Sequence, residues 1–368
     1  MELPDIYISI TSEESIQNGI LEILSLTRPE WVPRSAIDYK IFSGGLTNKL
    51  VGAYFNGKKE EMILVRIYGQ NSELMIDRQK EIKNMQILHE NGCGAKLYAI
   101  FQNGIAYQYL SGTILSVESI QESNIFPAVA AACSKIHSIK SPPNKDSTST
   151  EREACLWNLL KRFQRLSPDG LPEKPKLDEY FKRVIPFSKA ELAHEIDKMQ
   201  ALFEDKVLKR AKIVFCHNDL MPTNILINQT TENADEAVSA SFIDYEYGDW
   251  NYREYDIANH FNEFVGLPDA KTGQMYYENL YPTKEFRLKW LKEYIKNTKK
   301  INFDQTVEPT HEELEELDEL VSYFTPLGHL VWGIWSLVQA KFSDIDFDYI
   351  NYAAERLKQY KIDCSKIV

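Results

Sequence analysis

The sequence has 368 residues, of which 43% are hydrophobic and 26% are charged. This composition is typical of a globular protein and does not favour a disordered chain. The length predicts two lobes, because single hydrophobic cores stop growing near roughly 250–300 residues. The formal net charge of −12 argues against nucleic acid or an anionic membrane surface as a partner and favours a small cationic ligand.

Five cysteines are scattered along the chain without a Cys-x-x-Cys pair, which predicts neither a disulfide framework nor a zinc site. The N-terminal residues "MELPDIYISI" lack the basic and apolar regions of a signal peptide. No apolar run reaches the roughly 18–20 residues that a membrane span needs. We therefore expect a cytoplasmic protein without stable membrane insertion.

An amphipathic helix is the first predicted element. A capping box from Thr11 to Glu14 marks its start. The spacing of the apolar residues that follow predicts that one side of this helix is buried. These residues are Ile16, Ile20, Ile23 and Leu24.

Five strands follow, with one helix inserted between the third and the fourth. Alternating apolar residues predict the first two strands, and the turn "NGKKEE" leads into the third, "MILVRIY". A helix is predicted over about 73–90, with Ile82, Met85 and Leu88 on its buried side. "KLYAIF" and "IAYQYL" then form a hairpin around an Asn-Gly turn. We therefore expect an antiparallel five-stranded sheet plus one helix.

Beyond Gly112 the pattern becomes helical, apart from a β-rich island at about 212–244. Two polar stretches, 140–153 and 228–240, are predicted to be exposed loops. The sequence therefore predicts an α+β fold with two domains, the sheet-containing residues 1–110 and the mainly helical residues 111–368.

The most specific spacing lies in "IVFCHNDLMPTNILIN", where His217-x-Asp219 is followed by Asn224. "SFIDYEY" then places Asp244 after another β-like run. Phosphoryl transfer from ATP needs a carboxylate that accepts the proton of the acceptor hydroxyl, and it needs oxygen ligands for Mg²⁺. Asp219 suits the first task, and Asn224 and Asp244 suit the second. The alternative is that these residues only form turns between strands.

Two features of the sheet region fit the same chemistry. Gly44 and Gly45 can cover phosphate groups with bare backbone amides, and a plain hairpin is the alternative. Arg66 lies in the middle of an apolar strand and needs a partner, for which Glu81 in the following helix is the candidate. In kinase-like sites a strand cation held by a helix carboxylate binds the α- and β-phosphates. A surface arginine without a partner is the alternative.

Trp332 and Trp335 stand three residues apart in the apolar stretch "LVWGIWSLVQAKF". On periodicity alone, an aromatic stripe at helical spacing favours a core face. However, a phosphotransfer site needs an acceptor site, and the faces of indole rings bind cations. On the residues alone, both interpretations stay open.

Four stretches, "ILVRIYG", "FCHNDLMPTNILI", "FIDYEYGDWNYREYDIANHFNEF" and "VWGIWSLVQAKFSDIDFDYINYA", resemble the choline/ethanolamine kinase family. The resemblance covers about residues 30–360 and implies a protein-kinase-like two-lobe fold that uses ATP and Mg²⁺. It implies that residues 1–110 bind the nucleotide and that residues 111–368 form the catalytic and amino-alcohol-binding lobe. Pro222, inside the catalytic loop, departs from the family pattern.

The resemblance also implies roles for single residues. Asp219 would be the catalytic base, and Asn224 and Asp244 the Mg²⁺ ligands. Asp256 would brace the catalytic loop, with His217 packed inside the loop. The nucleotide-binding residues would be Ser43, Gly44, Gly45, Thr47, Asn48, Arg66, Glu81, Gln108 and Leu110. The amino-alcohol pocket would consist of Asp219, Tyr247, Glu263, Trp332, Trp335, Phe347 and Tyr352.

Ethanolamine and choline both suit such a pocket, because each carries a cationic amine. "VRIYGQNSELMIDRQKEI", "HENGCGAKLYAIFQNG", "HFNEFVG" and "LYPTKEFRLKWL" are more similar to the ethanolamine branch of the family than to the choline branch. The resemblance therefore implies phosphorylation of ethanolamine, the first step of the CDP-ethanolamine route to phosphatidylethanolamine. It leaves open whether the protein is a homodimer.

Several alternatives to this function remain. Choline as the acceptor comes first, followed by an aminoglycoside-type phosphotransferase, which would not explain the aromatic residues near the C-terminus. A catalytically silent binding module of the same fold would be favoured if Asp219, Asn224 or Asp244 were replaced, and all three are present. A purely structural helical protein would leave Arg66 and the acidic residues after the strands unexplained.

Overall fold

The computed structural model divides the chain into two compact units, Met1–Thr113 and Ile114–Val368. It describes residues 1–42, 48–69, 77–140, 153–230, 237–266, 275, 280–304, 307–343 and 345–367. Within these ranges, none of the helices combines the length and the apolar character that a membrane crossing requires.

The N-terminal unit is built on a six-stranded sheet and two helices. The strands are β1 Glu2–Leu3, β2 Ile37–Phe42, β3 Asn48–Phe55, β4 Ile63–Tyr68, β5 Leu97–Phe101 and β6 Gly104–Gln108, and the helices are α1 Glu13–Thr27 and α2 Arg78–Glu90. The strand order is β1-β5-β6-β4-β3-β2. Strands β2 to β6 pair antiparallel, as predicted. The short strand β1, which was not predicted, adds a parallel edge beside β5.

The predicted Asn-Gly turn joins β3 to β4. Asn56 and Gly57 both have positive φ values, 51° and 74°. Asparagine and glycine tolerate this left-handed conformation best, which explains why they stand in the turn. The turn fixes the register in which Leu50 of β3 pairs with Arg66 of β4.

Helix α1 packs its predicted apolar side into the core of the N-terminal unit. Ile20, Ile23 and Leu24 are fully buried there, and Ile16 is 3% exposed. The predicted capping box at Thr11 is wrong, because the side chain of Ser12 caps the helix by accepting the Ser15 N–H. The helix therefore begins one residue later than the box implied.

Helix α2 buries Leu88 as predicted, but the rest of its buried side differs from the prediction. Residues 70–76 lie outside the described residues, so the predicted start at 73 is not described. The buried residues are Glu81, Asn84 and Leu88, whereas Ile82 and Met85 are only half-buried. The helix turns a carboxylate toward the sheet because Glu81 pairs there with Arg66.

The C-terminal unit is mainly helical. Its helices are α3 Phe126–His137, α4 Leu156–Leu166, α5 Pro175–Val184, α6 Lys189–Lys206, α7 Arg253–Asn262, α8 Lys284–Phe303, α9 His311–Phe342 and α10 Tyr349–Ile367. The long helix α9 is buried almost continuously from Phe324 to Gln339. The apolar stretch that contains the two tryptophans therefore lies in the interior of this unit.

Short strands carry the predicted β-rich island. β7 Thr113–Ile114 precedes the island in the chain, and the island itself consists of β8 Ile213–Cys216, β9 Ile225–Thr230, β10 Ala237–Phe242 and β11 Asp249–Tyr252. β9 pairs antiparallel with β10, and β8 pairs antiparallel with β11. The island thus extends beyond the predicted end at 244.

The prediction of a loop over 228–240 is wrong at both ends. Residues 228–230 continue β9 and residues 237–240 begin β10, because the two strands pair up to Thr230 and Ala237. Residues 231–236 lie outside the described residues. The same is true of 141–152, and the flanking Lys140 and Glu153 are exposed.

Candidate active site

The loop after β8 is held in place by the buried carboxylate of Asp256 on α7. Its Oδ2 accepts the His217 backbone N–H at 2.8 Å, and its Oδ1 accepts the Asn218 N–H at 2.7 Å. Asn218 has a φ of 66°, a conformation that asparagine adopts more easily than most residues. Burial alone would raise the pKa of Asp256, but hydrogen bonds from His137 and His217 outweigh burial and lower it.

His217 is fully buried inside this loop. Its Nε2 lies 2.9 Å from the carbonyl oxygen of Ile243, and its Nδ1 lies 3.3 Å from the Asp219 backbone nitrogen. A carbonyl only accepts, so Nε2 carries the proton and Nδ1 accepts the Asp219 N–H. Burial lowers the pKa of His217. Both ring nitrogens are thus engaged in holding the loop.

Asp219 and Asn224 meet at the far side of the loop. The Asn224 Nδ2 donates to the Asp219 carbonyl oxygen at 2.9 Å and to its Oδ2 at 3.2 Å. Pro222 begins a single 3₁₀ turn, Pro222–Asn224, where proline fits because the first residue of a helical turn needs no donor. This turn brings the Asn224 side chain back to Asp219.

Asp244 lies beside Asn224 because of the pairing of β9 with β10. Phe242 pairs with Ile225, and the Ile243 N–H donates to the Asn224 carbonyl oxygen at 3.0 Å. Asp244 is exposed and has a φ of 63°, a strained conformation that tends to occur at functional sites. Asp219, Asn224 and Asp244 are therefore brought to one place by the sheet and the loop.

Carboxylates surround Asp219. Burial raises the pKa of Asp219, and the negative charges of Glu263, Asp244 and Glu246 raise it further. Glu246 was not predicted as a site residue, although it stands only two positions after Asp244. Such a concentration of negative charge in a small volume favours binding of cations.

Trp332 and Trp335 lie on α9 next to Tyr247. The two indole rings are 5.5 Å apart between centroids, and the Tyr247 ring lies 5.3 Å from that of Trp332. Trp332 Nε1 donates to Asn259 Oδ1, and Trp335 Nε1 donates to the Tyr247 hydroxyl, both at 2.8 Å. The hydrogen bonds fix the orientation of both rings.

A second group of aromatic rings follows at the start of α10. Phe347 is half-buried and lies 5.8 Å from the ring of Tyr352 and 4.9 Å from that of Tyr349. Tyr349 in turn lies 5.9 Å from Trp335. Tyr349 was not predicted, and it connects the predicted pocket residues of α10 with those of α9.

Arg356 connects Glu263 with Tyr352 and was also missed. Its Nη2 donates to Glu263 Oε1 at 2.7 Å and to the Tyr352 hydroxyl at 2.6 Å. Burial raises the pKa of Tyr352, and the charges of Glu263 and Asp219 add to the rise while Arg356 opposes it. The four residues are thus close enough to influence one another. The available signal was the four-residue spacing of Tyr352 and Arg356, which places both on one side of a helix.

In the N-terminal unit, Arg66 forms a buried ion pair with Glu81. Arg78 was not predicted, and it donates from Nη1 to Glu81 Oε2 and from Nη2 to Asn48 Oδ1, each at 3.0 Å. Glu81 therefore holds two guanidinium groups, and one of them contacts the predicted residue Asn48.

The other predicted nucleotide residues are only partly described. Ser43, Gly44, Gly45 and Thr47 lie outside the described residues. Gln108 ends β6, and its backbone N–H donates to the Lys96 carbonyl oxygen at 2.8 Å. Leu110 follows and is half-buried. The roles of these residues remain predictions.

His137, Cys216 and Asp256 form the one cluster of histidine, cysteine and acidic side chains in the described ranges that is compact enough for a metal ion. Their polar atoms are already used without one. His137 Nε2 lies 2.9 Å from Asp256 Oδ2, and its Nδ1 lies 2.9 Å from the Tyr294 hydroxyl. Burial raises the pKa of the Cys216 thiol well above its usual value, which disfavours the thiolate that metals bind. We interpret the cluster as structural support of the loop.

Comparison with known proteins identifies the family of this chain. A sequence model of the family described as choline/ethanolamine kinase matches residues 39–361. Human ethanolamine kinase 1 is 34% identical over 361 residues, which cover 98% of this chain and 75% of the human protein.

Two solved structures are similar to the whole chain. Ethanolamine kinase from Plasmodium vivax is 27% identical, with a TM-score of 0.74 and coverage of 98% of this chain and 93% of that one. Choline kinase from Cryptosporidium parvum is 24% identical with a TM-score of 0.75, covers 95% of each chain, and supports the fold alone. These likenesses confirm the predicted α+β kinase-like fold. By both the family match and the identity to its relatives, the chain belongs to the choline/ethanolamine kinase family.

Proposed function

We propose that this chain transfers the γ-phosphoryl group of ATP to the hydroxyl of ethanolamine, giving phosphoethanolamine and ADP. One observation carries the proposal: the loop after β8 and the β9–β10 pair bring Asp219, Asn224 and Asp244 together, as phosphoryl transfer requires. Membership of the family and the ethanolamine kinases among the relatives support it. The product would enter the CDP-ethanolamine route to phosphatidylethanolamine.

Asp219 is proposed as the base that orients the acceptor hydroxyl and accepts its proton. The oxygen of the acceptor then attacks the γ-phosphorus, and ADP leaves. Asn224 supports this role because its side-chain N–H bonds hold the Asp219 carboxylate and carbonyl. Asp256 supports it from behind by fixing the backbone of His217 and Asn218.

Asn224 and Asp244 fit a Mg²⁺ ion chemically. The Asn224 Nδ2 faces Asp219, which turns its Oδ1, an oxygen of the kind that Mg²⁺ prefers, to the other side. Asp244 adds an exposed carboxylate. When bound, Mg²⁺ would neutralise negative charge on the phosphates as the bond to ADP breaks.

The N-terminal unit is proposed to bind the nucleotide, with Arg66 held by Glu81 for the phosphates. The C-terminal unit is proposed to bind the amino alcohol. Its aromatic residues with fixed ring orientation and the buried carboxylate of Glu263 suit a small cation. The homodimer and the cytoplasmic location stay predictions.

The test measures ADP formation by the purified protein with Mg-ATP and either ethanolamine or choline. We expect turnover with ethanolamine and a higher kcat/KM for ethanolamine than for choline. A higher kcat/KM for choline would make this a choline kinase. Turnover with aminoglycosides alone would contradict the proposed acceptor class.

Asp219→Asn tests the base with little change in shape. We expect kcat to fall at least about 100-fold, the lower end of what general acid–base catalysis contributes, with an unchanged melting temperature. Asp249→Asn is the matched control, because Asp249 starts β11 and caps the neighbouring Trp250 N–H. Near-normal turnover of Asp219→Asn would remove Asp219 from the base role.

A further inference from the structure

Arg356 is a permanently charged side chain with no exposed surface. Burying a guanidinium is costly unless it is paired and hydrogen-bonded. Its contacts on α10, α9 and the turn after α7 all lie inside the C-terminal unit. Because burial of the Arg356 charge is costly and Arg356 lies beside residues proposed to bind the acceptor, we looked for a functional role for it.

The contacts of Arg356 point to the acceptor pocket. One nitrogen, Nη2, donates both to Glu263 Oε1 at 2.7 Å and to the Tyr352 hydroxyl at 2.6 Å. The guanidinium carbon also lies 4.9 Å from the centroid of the Tyr352 ring. One cation therefore fixes both the carboxylate and the ring that are proposed to face the ammonium group.

The other side of Arg356 is held by a second pair of residues. Its Nη1 lies 3.4 Å from His329 Nδ1, and His329 Nε2 lies 3.4 Å from Asp363 Oδ2. Arginine only donates, so Nδ1 must accept and Nε2–H must point to Asp363. His329 is thus a neutral spacer that holds Arg356 without adding charge. The guanidinium is fixed from two directions.

The surrounding charges explain why a cation is useful here. Glu263 lies close enough to Asp219 to raise the pKa of that carboxyl, as Asp244 and Glu246 also do. Without a counter-charge, the buried carboxylate of Glu263 would be repelled by the negatively charged carboxylates near it. Arg356 compensates that repulsion and keeps Glu263 in one position, ready for a second, transient cation.

We propose that Arg356 is a positioning residue that sets the affinity for the amino alcohol by holding Glu263 and Tyr352 in the binding geometry. The proposal rests on the proposed function, whose acceptor it concerns. It assigns to Arg356 no direct contact with the reacting atoms. It predicts an effect on the acceptor KM and little effect on the KM for ATP.

The test is a double-mutant cycle between Arg356→Met and Glu263→Gln, with steady-state kinetics for ethanolamine and for ATP. Methionine keeps much of the buried volume, and glutamine keeps the shape of glutamate. We expect Arg356→Met to raise the ethanolamine KM at least tenfold and to leave the ATP KM within twofold. In the Glu263→Gln background, Arg356→Met should raise the ethanolamine KM less than threefold, because the negative partner of Arg356 is already gone.

Arg287→Met is the matched control. Arg287 is also largely buried and donates to both oxygens of Asp318, at 2.7 and 2.9 Å. It lies outside the proposed pocket, so we expect a lower melting temperature and an unchanged ethanolamine KM. If Arg287→Met raised the ethanolamine KM as much as Arg356→Met, the effect would be one of general stability and the proposal would be wrong.

Arg356→Lys decides the question if the methionine variant does not fold. Lysine keeps the charge but lacks the planar fork, so it cannot make the same set of contacts. We expect at least a fivefold rise of the ethanolamine KM with the ATP KM within twofold. An unchanged ethanolamine KM, or additive effects in the cycle, would overturn the role of Arg356 while leaving the proposed function intact. Absence of wild-type turnover with both amino alcohols would instead contradict the proposed function.

Discussion

The two tryptophans of α9 combine the properties of core residues and of ligand-binding residues. Trp332 is 6% exposed and Trp335 9% exposed, as expected of a core. The indole N–H of Trp332 donates to Asn259, and that of Trp335 donates to Tyr247, in other parts of the unit. A buried indole N–H finds a partner in most cores, so these bonds alone do not separate the two interpretations. They do fix the ring faces that a cation would meet.

Substituting these tryptophans by phenylalanine separates the two interpretations. Trp332→Phe and Trp335→Phe keep an aromatic ring but lose the N–H and the stronger cation–π face of indole. We expect the ethanolamine KM to rise about 3- to 30-fold, which corresponds to about 0.5–2 kcal/mol. The ATP KM should stay within twofold. Steady-state kinetics with either substrate varied measures both.

Trp290→Phe is the control for these substitutions. Trp290 is fully buried in the same unit and stacks on Tyr294 at 5.7 Å between centroids. It contributes to the core and to none of the proposed pocket contacts, so only the melting temperature should fall. If all three variants lost stability and kept their ethanolamine KM, the core interpretation of Trp332 and Trp335 would prevail.

Single residues were predictable where a motif reported them. His217, Asp219, Asn224, Asp244 and Asp256 stand at fixed spacings within two short stretches, and the structure brings them together. Asn259 and Arg356 were missed for a physical reason. Trp332, the partner of Asn259, and Glu263, the partner of Arg356, are 73 and 93 residues away in the chain. No local periodicity reports a contact over that distance, and the spacing of Arg356 from Tyr352 was the only local signal that we identify for either residue.

At the level of elements, the packing of α7 against α9 connects the catalytic loop with the aromatic residues. Asn259 on α7 accepts from Trp332 and donates to the Asn218 carbonyl oxygen at 3.4 Å. Asn262, one turn further, donates to the Thr325 carbonyl oxygen at 3.0 Å. Gly328 leaves the room for both asparagines, because a Cβ there would lie 2.6 Å from Asn262 Nδ2 and 3.2 Å from Asn259 Oδ1.

Gly328→Ala should therefore disturb the proposed pocket indirectly, because the added Cβ would meet Asn259 and Asn262 rather than the aromatic rings. Overpacking costs about 1–3 kcal/mol, and alanine regains about 1 kcal/mol of helix propensity. We expect the free energy of unfolding to fall by up to about 2 kcal/mol and the ethanolamine KM to rise, because Asn259 no longer holds Trp332 in place. Chemical denaturation and steady-state kinetics measure the two effects.

Ser336→Ala provides the comparison on the same helix. Ser336 is fully buried, and its hydroxyl has no hydrogen-bond partner in the described parts of the chain. Its removal should leave both stability and the ethanolamine KM unchanged. A Gly328→Ala variant that behaved like Ser336→Ala would show that the two helices can separate slightly at no cost to the pocket.

Elements were predictable where one local signal dominates. The Asn56-Gly57 turn was found because both residues tolerate a positive φ. The hairpin of β5 and β6 was found because two β-like runs flank a short turn, although Gly104 belongs to β6 and not to the turn. The buried side of α2 was predicted correctly only at Leu88, since hydrophobic periodicity cannot report that Glu81 is buried by its ion pairs. The two-residue strand β1 is too short to show any periodicity.

For the molecule as a whole, buried histidines determine how stability responds to acid. His260 donates from Nδ1 to the Leu220 carbonyl oxygen at 2.9 Å, and its buried Nε2 has no hydrogen-bond partner among the described residues. His329 accepts from Arg356 and faces Asp363. Burial lowers the pKa of each of these histidines to about 4.

These shifts predict that the protein loses stability between pH 6.5 and pH 4. In that range the unfolded chain binds a proton at each histidine, near the ordinary pKa of 6.5, and the folded chain does not. The free energy of unfolding should therefore fall as the pH falls, by about 3 kcal/mol per histidine over the full range. Above pH 6.5 neither state binds the proton, so these residues cause no further change.

Urea denaturation at a series of pH values, followed by tryptophan fluorescence, measures this slope. His260→Gln and His329→Gln lower stability at neutral pH by disturbing the core, but each should also flatten the slope between pH 6.5 and pH 4. His311→Gln is the control, because the side chain of His311 is 82% exposed and its removal should leave the slope unchanged. A slope that persisted unchanged in His260→Gln and His329→Gln would place the acid sensitivity elsewhere, because a group that no longer titrates cannot couple folding to proton binding.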